Sequence, residues 1–257
     1  MAISRRQSLK AIAAAGAMRA VPVRAAARAA AKPIRLIALD IGGTLIQDHG
    51  EVPQCMQGAL AAGGIQVSFA EIADWRGASK REMVRHFVAL RVKTGIDRGA
   101  LTTAIYKDFV ARANAAYADV QPIAGAKDAI GLLRSKGFLL ATTTGFDRQL
   151  NDFIFERLAW RGLFDATVAS DEVADGRPAP YMLFHAMELT RVNDVAEVIA
   201  VGDTPLDLQA AANAGVRGMI GVYSGAASEE RLRKEPHTHI LASVAQLPAL
   251  LAAEFAN

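Results

Sequence analysis

The chain has 257 residues, of which 52% are hydrophobic and 21% are charged. This length and apolar content allow one large domain, or a core with a smaller appendage, and they exclude a disordered chain. The single cysteine, Cys55, excludes a scaffold held together by intrachain disulfides. The formal net charge is +3, but residues 1–32 hold seven basic side chains and no acidic one, so the remainder holds 22 basic against 26 acidic side chains. We therefore expect that this remainder has no nucleic-acid partner.

The first 32 residues are predicted to form a basic, alanine-rich extension. Arg5 and Arg6 precede an apolar run that Arg19 ends after eight residues, and this pattern resembles a short twin-arginine export signal. A disordered extension, or a chain that starts at Met18 or later, is the alternative. The predicted localisation is cytoplasmic, and export to the periplasm by a twin-arginine-type signal is the alternative. No apolar run reaches the roughly 18 residues of a membrane-spanning helix, so no membrane span is expected.

From Pro33 onward, short apolar runs alternate with longer amphipathic segments, which is typical of strand–helix units that build a parallel sheet. The predicted strands are residues 34–39, 138–142, 166–169, 197–201 and 219–223. Helical periodicity predicts helices over residues 124–136, 180–189 and 205–214. The predicted fold class is therefore α/β, with a Rossmann-like parallel sheet built from residues 33–46 and 121–257.

Between Gln47 and Val120 the strand pattern is absent, and helical segments follow one another. They are predicted over residues 53–62, 69–75, 80–92 and 98–117. A stretch of about seventy residues after the first strand is too long for a connecting loop. We therefore predict that residues 47–120 form an all-helical cap domain.

Four short motifs follow or flank the predicted strands. Asp40 opens D-I-G-G-T-L after the first strand, T-T-G at 143–145 follows the second, G-R-P-A-P at 176–180 precedes a helix, and Asp203 and Asp207 follow the fourth strand. Open α/β sheets bind ligands outside the carboxyl ends of their strands, so these motifs are expected to share one site. The first motif alone also resembles the phosphate-binding turn of sugar kinases.

Taken in this order, the four motifs resemble the haloacid dehalogenase (HAD) superfamily of aspartate-nucleophile hydrolases, from Ile34 to near the end of the chain. The resemblance implies a HAD core with a helical cap inserted after the first strand. Within the superfamily, the chain is similar to the phosphonatase-like (phosphonoacetaldehyde hydrolase-like) branch. The residues that carry this closer likeness are Gly42, T-T-G at 143–145, G-R-P-A-P at 176–180, G-A-S-K at 77–80 and the tail P-H-T-H-I-L at 236–241.

The resemblance implies a role for each motif residue. Asp40 is the expected nucleophile, which forms an aspartyl phosphate. Mg²⁺ is expected to be held by Asp203, by the second oxygen of Asp40 and by the Gly42 carbonyl, because this ion prefers such oxygens. Asp207 is expected as a further metal anchor or an orienting group, and Arg177 as the catalytic positive charge. The remaining expected contacts of the phosphoryl group or the substrate are the catalytic Thr144, together with Gly43, Gly145 and Arg76.

Gly42 departs from the ordinary phosphatases of the superfamily, which carry an aspartate there that protonates the leaving alcohol. Loss of a general acid lowers the rate by about 10² to 10⁴. The phosphonatase-like branch avoids this step, because a cap lysine first converts the substrate into an imine. Lys80 lies where that lysine is expected and is a candidate catalytic residue. An exposed lysine at a helix start is the other interpretation, since Arg76, Met83 and Phe146 differ from the branch.

The predicted function is a Mg²⁺-dependent hydrolase that acts on a small phosphonate or phosphorylated metabolite through an Asp40 phosphoenzyme. The alternative within this class is a phosphatase for small phosphate esters of the phosphoglycolate kind. From other classes, Asp203 and Asp207 disfavour a sugar kinase, and the retained charged residues disfavour a non-catalytic binding protein. The expected partner is a small molecule, and the resemblance also allows a homodimer.

Overall fold

The computed structural model describes residues 32–93 and 95–255. Residues 1–31, nearly all of the predicted extension, lie outside the described residues, so the export signal and its alternatives stay predictions. In the described part of the chain, no helix combines the length and the apolar character that a membrane crossing requires.

Six strands of the described chain form one parallel sheet. They are β1 (Leu36–Leu39), β2 (Leu139–Thr144), β3 (Ala166–Ala169), β4 (Val198–Gly202), β5 (Gly218–Val222) and β6 (His239–Leu241). Their order across the sheet is β3-β2-β1-β4-β5-β6. Ala38 of β1 pairs with Ala141 of β2 on one side and with Ala200 of β4 on the other. The strand order therefore reverses beside β1, and ligands of open α/β sheets bind at the carboxyl ends of the strands at such a point.

Helices cover both faces of this sheet. Those after residue 120 are α5 (Ala126–Ser135), α6 (Arg148–Arg157), α7 (Tyr181–Thr190), α8 (Pro205–Ala214), α9 (Glu229–Leu232) and α10 (Leu247–Glu254), and four helices precede them in the chain. Leu36 and Ala38 pack on one face with α7 and α8, whereas Ile37 and Leu39 pack on the other with α5, α6 and α10. Because both faces are buried, the central strands β1 and β4 are continuous apolar runs in the sequence.

Four helices lie between β1 and β2 within residues 47–120, here called the helical insertion. They are α1 (Glu51–Ala62), α2 (Phe69–Ala73), α3 (Lys80–Arg91) and α4 (Arg98–Ala116). α4 packs against α1 and α3, and α1 packs against α2. Met56, Phe87 and Phe109 are buried between these helices. The predicted fold class is confirmed, while the domain boundaries at 46/47 and 120/121 remain a prediction.

The sequence pattern does not predict α6, α9 and α10. α6 begins after Asp147, whose side chain accepts a hydrogen bond from the Leu150 amide and so caps the helix. α10 carries Pro248 in its first turn, where the missing N–H is not needed. In the sequence, a proline within a short apolar segment is more typical of a loop. The predicted helix over residues 69–75 ends earlier, at Ala73.

Candidate active site

Asp40 lies at the carboxyl end of β1, in the centre of the sheet. Its amide donates to the Val201 carbonyl at 2.8 Å, so the residue stays aligned with β4 one position beyond the strand. The side chain is almost completely buried, and its Oδ1 accepts a hydrogen bond from Arg177 Nη1 at 2.7 Å. The sheet and this guanidinium therefore fix both the position and the orientation of the carboxylate.

Arg177 lies in the loop between β3 and α7 and contacts three residues of the core. Nη1 lies 2.7 Å from Asp40 Oδ1 and 2.9 Å from Asp207 Oδ1. Nη2 donates to the carbonyl oxygen of Thr143 at 2.9 Å and to its hydroxyl at 2.8 Å. Because the guanidinium is planar and its N–H groups are rigidly placed, these contacts orient it as well as hold it. The sequence analysis did not predict this function of Thr143, which its T-T-G motif nevertheless contains.

Asp203 and Asp207 use their oxygens differently. Asp203 is 1% exposed; its Oδ2 accepts from the Ala226 amide at 2.6 Å, and its Oδ1 is buried without a hydrogen-bond partner among the described residues. Asp207 lies in the first turn of α8, where its Oδ2 accepts from the amide and the hydroxyl of Thr204 in a capping box. Its Oδ1 contacts Arg177. The contacts of Asp207 thus favour a role in anchoring Arg177, whereas Asp203 keeps one oxygen available.

These three aspartates form a cluster that fits a cation. One oxygen from each of Asp40, Asp203 and Asp207 lies within 4.8 Å of the other two. Burial raises the pKa of Asp40 to about 7 although Arg177 opposes this, and burial followed by repulsion from Asp40 raises the pKa of Asp203 well above its usual range. A bound cation would remove this repulsion and would satisfy the unpartnered oxygen of Asp203. Buried carboxylate oxygens are the donors that hard divalent cations prefer.

Two glycines make room for Asp203. A Cβ atom on Gly43 would lie 2.3 Å from Asp203 Oδ2, and one on Gly225 would lie 2.1 Å from the same atom. Gly43 also has a φ of 76°, a left-handed conformation that favours glycine. Its N–H already donates to the Ile46 carbonyl at 2.8 Å. Gly42 differs, because a Cβ atom there would lie 3.7 Å from the Phe146 ring, an ordinary contact.

Lys80 begins α3 and is only 6% exposed, so the interpretation of this residue as an exposed lysine is wrong. Its Nζ donates to the Ala78 carbonyl at 3.0 Å and lies 5.3 Å from the centre of the Phe146 ring. Burial lowers the pKa of Lys80 to about 8; Asp40 opposes this shift and Arg177 adds to it. A fraction of the amine is therefore neutral near neutral pH, and the neutral form is the one that attacks a carbonyl.

A cavity of about 40 Å³ joins these groups. The residues predicted for the site that line it are Asp40, Gly42, Arg76, Lys80, Thr144, Gly145, Arg177 and Asp203. Thr144 Oγ1 accepts from the Phe146 amide at 3.1 Å, which leaves the hydroxyl hydrogen available for a ligand. Gly43 and Asp207 lie directly behind this wall, against Asp203 and Arg177. The structure thus brings together all the residues that the sequence analysis proposed for the site.

Asp48 and Tyr117 also line the cavity, and the sequence analysis did not predict them. The Tyr117 ring packs edge-on against Phe146, with 5.7 Å between the ring centres. Burial, and next the charge of Asp48, raise the pKa of Tyr117 well above its usual range, so its hydroxyl stays protonated. Neither residue belongs to a motif. Only the packing of the helical insertion against the core brings them to the site.

The helical insertion contacts the core at the edge of this cavity. The Lys80 amide donates to the Gly145 carbonyl at 3.3 Å, and the Gly176 amide donates to Glu82 Oε1 at 3.4 Å. A Cβ atom on Gly145 would lie 2.5 Å from the Ala78 carbonyl oxygen, so a larger residue there would push the insertion away. The glycines of T-T-G and G-R-P-A-P therefore allow the start of α3 to approach the ends of the core strands.

Comparisons with known proteins agree with this geometry. The haloacid dehalogenase-like hydrolase family matches residues 34–215. The phosphonoacetaldehyde hydrolase of Nitratidesulfovibrio vulgaris is 30% identical in an alignment of 199 positions that covers 72% of this chain and 70% of that protein.

Two solved structures resemble the fold. A phosphonoacetaldehyde hydrolase-like protein from Oleispira antarctica has a TM-score of 0.75 at 21% identity, over 86% of this chain and 92% of that chain. A predicted phosphoglycolate phosphatase from Haemophilus somnus has a TM-score of 0.72 at 17% identity, over 86% of this chain and 99% of that chain. At these identities the two likenesses show the fold alone.

Proposed function

The chain belongs to the haloacid dehalogenase-like hydrolase family, and we propose that it cleaves a small phosphonate or phosphorylated metabolite in a Mg²⁺-dependent, phosphonatase-like reaction at Asp40. One observation carries the proposal. Arg177 holds the Asp40 carboxylate at 2.7 Å beside Asp203, whose Oδ1 is buried without a hydrogen-bond partner in the described part of the chain. A nucleophile, a fixed positive charge and a cation ligand thus meet at the carboxyl ends of adjacent strands.

The donor set suits Mg²⁺. Asp40, Asp203 and the Gly42 carbonyl would hold the ion, and Asp207 would anchor Arg177 beside it. When bound, the ion neutralises phosphoryl charge that would otherwise repel the attacking carboxylate. The unpartnered oxygen of Asp203 supports this assignment, since a buried carboxylate oxygen without a donor is costly.

The core residues then perform the transfer. Asp40 attacks phosphorus and forms an aspartyl phosphate, while Arg177 stabilises the negative charge that develops on the phosphoryl oxygens. The Thr144 hydroxyl and the Gly145 amide donate hydrogen bonds to the same oxygens. Water hydrolyses the aspartyl phosphate, which releases phosphate and restores Asp40.

The lack of a proton donor for the leaving group favours a phosphonate substrate that carries a carbonyl group near its carbon–phosphorus bond. Gly42 supplies no proton to a departing alkoxide, and the Phe146 ring lies beside it. The neutral amine of Lys80 adds to the carbonyl and loses water, which gives an imine. The iminium form accepts the electron pair of the breaking carbon–phosphorus bond and becomes an enamine. Protonation of the enamine carbon and hydrolysis of the imine then release the product and restore Lys80.

The helical insertion would act as the cap of this site. It contributes Lys80 and Arg76, and the first residues of α3 lie over the carboxyl ends of the core strands. The cavity beside Asp40 has a volume of about 40 Å³ and shares part of its wall with a larger groove between the helical insertion and the core.

A phosphatase for small phosphate esters is the second candidate. The observation that favours it is Tyr117, a protonated hydroxyl on the wall of the same cavity. In this reaction Tyr117 would donate to the leaving alkoxide the proton that Gly42 cannot supply. Lys80 would contribute only its positive charge.

A substrate panel tests the proposal and separates the two candidates. The full chain with Mg²⁺ would be offered phosphonoacetaldehyde and a set of small phosphate esters, with and without chelator, and phosphate release would be measured. We expect Mg²⁺-dependent release from the phosphonate, and loss of that release in Lys80→Arg. Release from esters alone, unchanged in Lys80→Arg, would favour the phosphatase. Release from no compound would contradict both candidates.

A further inference from the structure

A second and larger space adjoins the reaction cavity. It is a groove of about 590 Å³ between the helical insertion and the core, with Phe69 of α2 on one side and Leu206 of α8 on the other. The groove and the reaction cavity share four wall residues, which are Pro53, Arg76, Thr204 and Ala226. A substrate held at Asp40 therefore has room for a further group in the direction of this groove.

Arg76 lies at the junction of the two spaces, close to the reacting groups. Its Nη1 donates to the Ala226 carbonyl at 3.4 Å, and the amide of the same Ala226 donates to Asp203 at 2.6 Å. The next residue, Gly77, offers its carbonyl to Arg177 Nη1 at 3.5 Å. One alanine thus separates the guanidinium of Arg76 from the aspartate cluster.

The charge of Arg76 has no counterpart in the described chain. Three cationic side chains line the reaction cavity, namely Arg76, Lys80 and Arg177. Arg177 is engaged by two carboxylates, and Lys80 donates to a carbonyl in the same cavity. The half-buried Arg76 forms no ion pair with any carboxylate of the described residues, and its one long hydrogen bond to a carbonyl uses one of five N–H donors.

The other charged side chains that line the groove do not neutralise Arg76. Arg231, further along the groove, is itself a cation and is already paired with Glu235. Asp74 lies on the groove wall but does not reach Arg76. A partly desolvated guanidinium with free, coplanar N–H groups is suited to a carboxylate or a phosphoryl group.

We propose that Arg76 binds a second anionic group of the substrate, whose tail enters the groove while the phosphonyl or phosphoryl group lies at Asp40. This inference rests on the proposed function and narrows its substrate class. If Lys80 forms an imine, the substrate is a phosphonate with a carbonyl and, beyond it, a carboxylate or phosphoryl group. If the reaction is ester hydrolysis, the substrate is the phosphate ester of an alcohol that carries such a group.

Paired substrates that differ only in the second anion test this inference. The first pair is phosphonoacetaldehyde and 3-phosphonopyruvate, and the second is ethyl phosphate and 2-phosphoglycolate, with ethane-1,2-diol bisphosphate to distinguish a phosphoryl tail from a carboxylate tail. The kcat/KM values would be compared in the wild type, Arg76→Met, Arg76→Lys and the matched control Arg85→Met. Arg85 is an exposed arginine of the same helical insertion and lines neither space.

We expect the wild type to prefer the member with the second anion in at least one pair by about tenfold or more, the size of a charge-assisted hydrogen bond. Arg76→Met removes this preference through a higher KM for the member that carries the second anion, so that the two members of the pair become similar substrates. Arg76→Lys retains part of the preference, and Arg85→Met retains all of it. An equal loss on both members of a pair, or a preference that survives Arg76→Met, would overturn the inference.

A binding measurement keeps this test separate from the proposed function. In Asp40→Asn protein with Mg²⁺, calorimetry would compare phosphonoacetate with methylphosphonate, which differ by one carboxylate. We expect tighter binding of phosphonoacetate that depends on Arg76. Equal affinities would contradict the role of Arg76 even if phosphate is released from other compounds. Absence of turnover with every substrate would contradict only the proposed function.

Discussion

The core and the helical insertion hold their charged groups in different ways. In the core, Arg177 contacts two carboxylates and both oxygens of Thr143. In the insertion, Lys80 and Arg76 each donate to a single backbone carbonyl. The core therefore holds its groups before a substrate arrives, whereas the insertion presents groups that gain partners from the substrate. On the proposed function, the core would carry out the phosphoryl transfer, and the insertion would supply the groups that recognise and activate the rest of the substrate.

The largest effect is expected for the nucleophile of the core. Asp40→Asn keeps the shape of the side chain and removes the attacking carboxylate, so we expect phosphate release to fall by about 10⁴-fold or more. The measurement is phosphate release with Mg²⁺ on the best substrate of the panel. Asp128→Asn, a change of an exposed core aspartate, is the matched control and keeps full activity. Activity of Asp40→Asn within tenfold of the wild type would contradict the account.

The next effect is expected for the guanidinium. Arg177→Lys keeps the charge but loses the planar arrangement that contacts Asp40, Asp207 and Thr143 together, so we expect kcat to fall by about 10²-fold. The same change at an exposed position, Arg85→Lys, leaves kcat unchanged. If Arg177→Lys were nearly as active as the wild type, a positive charge alone would suffice for catalysis. The fixed orientation of the guanidinium would then not be needed.

Two adjacent glycines provide a sharper comparison within the core. Gly43→Ala places a Cβ atom 2.3 Å from Asp203 Oδ2 in a left-handed conformation, whereas Gly42→Ala meets only the Phe146 ring at 3.7 Å. We expect Gly43→Ala to lower the free energy of unfolding by about 2 kcal/mol and to weaken Mg²⁺ binding. Gly42→Ala leaves both within error. Denaturant unfolding measures the free energy of unfolding, and calorimetry with Mg²⁺ measures the binding of the ion. Equal effects of the two substitutions would contradict the claim that Gly43 is needed to make room for Asp203.

The smallest effect concerns the insertion and depends on pH. The pKa of Lys80 is lowered to about 8 by burial, so its amine is mostly protonated below that pH and becomes neutral as the pH rises through it. For phosphonoacetaldehyde, we expect kcat/KM to rise by about tenfold between roughly pH 7 and 9, because the neutral fraction of an amine with this pKa rises about tenfold over that range. The measurement is the pH–rate profile of the wild type with this substrate. A profile that stays flat would show that neutral Lys80 does not take part.

The sequence predicted the strands of the sheet and the four helices of the insertion, whereas the helices that it missed, α6, α9 and α10, lie in the core. Strands buried on both faces appear as uninterrupted apolar runs, and the residues after them share one end of the sheet, so Asp40 and Asp203 could be brought together by topology alone. α6 escaped prediction because its start depends on one capping contact of Asp147 rather than on a long apolar stripe.

The parts of the site that the sequence did not predict depend on packing between distant segments. Thr143 contacts Arg177 only because β2 lies beside β1, and its motif gives no sign of that contact. The burial of Lys80 depends on how closely α3 approaches Gly145, which helical periodicity does not report. Tyr117 ends a predicted helix, and only the fold of the insertion turns it toward the cavity.

The most direct test of the central claim is chemical identification of the phosphoenzyme. The full chain would be quenched during turnover with Mg²⁺ and treated with borohydride, which reduces an aspartyl phosphate to homoserine, and the modified residue would be located by mass spectrometry. The account predicts homoserine at position 40, dependent on both substrate and Mg²⁺, with Asp203 and Asp207 unchanged. Phosphate release from an enzyme whose Asp40 is never modified, or modification of another residue, would contradict it.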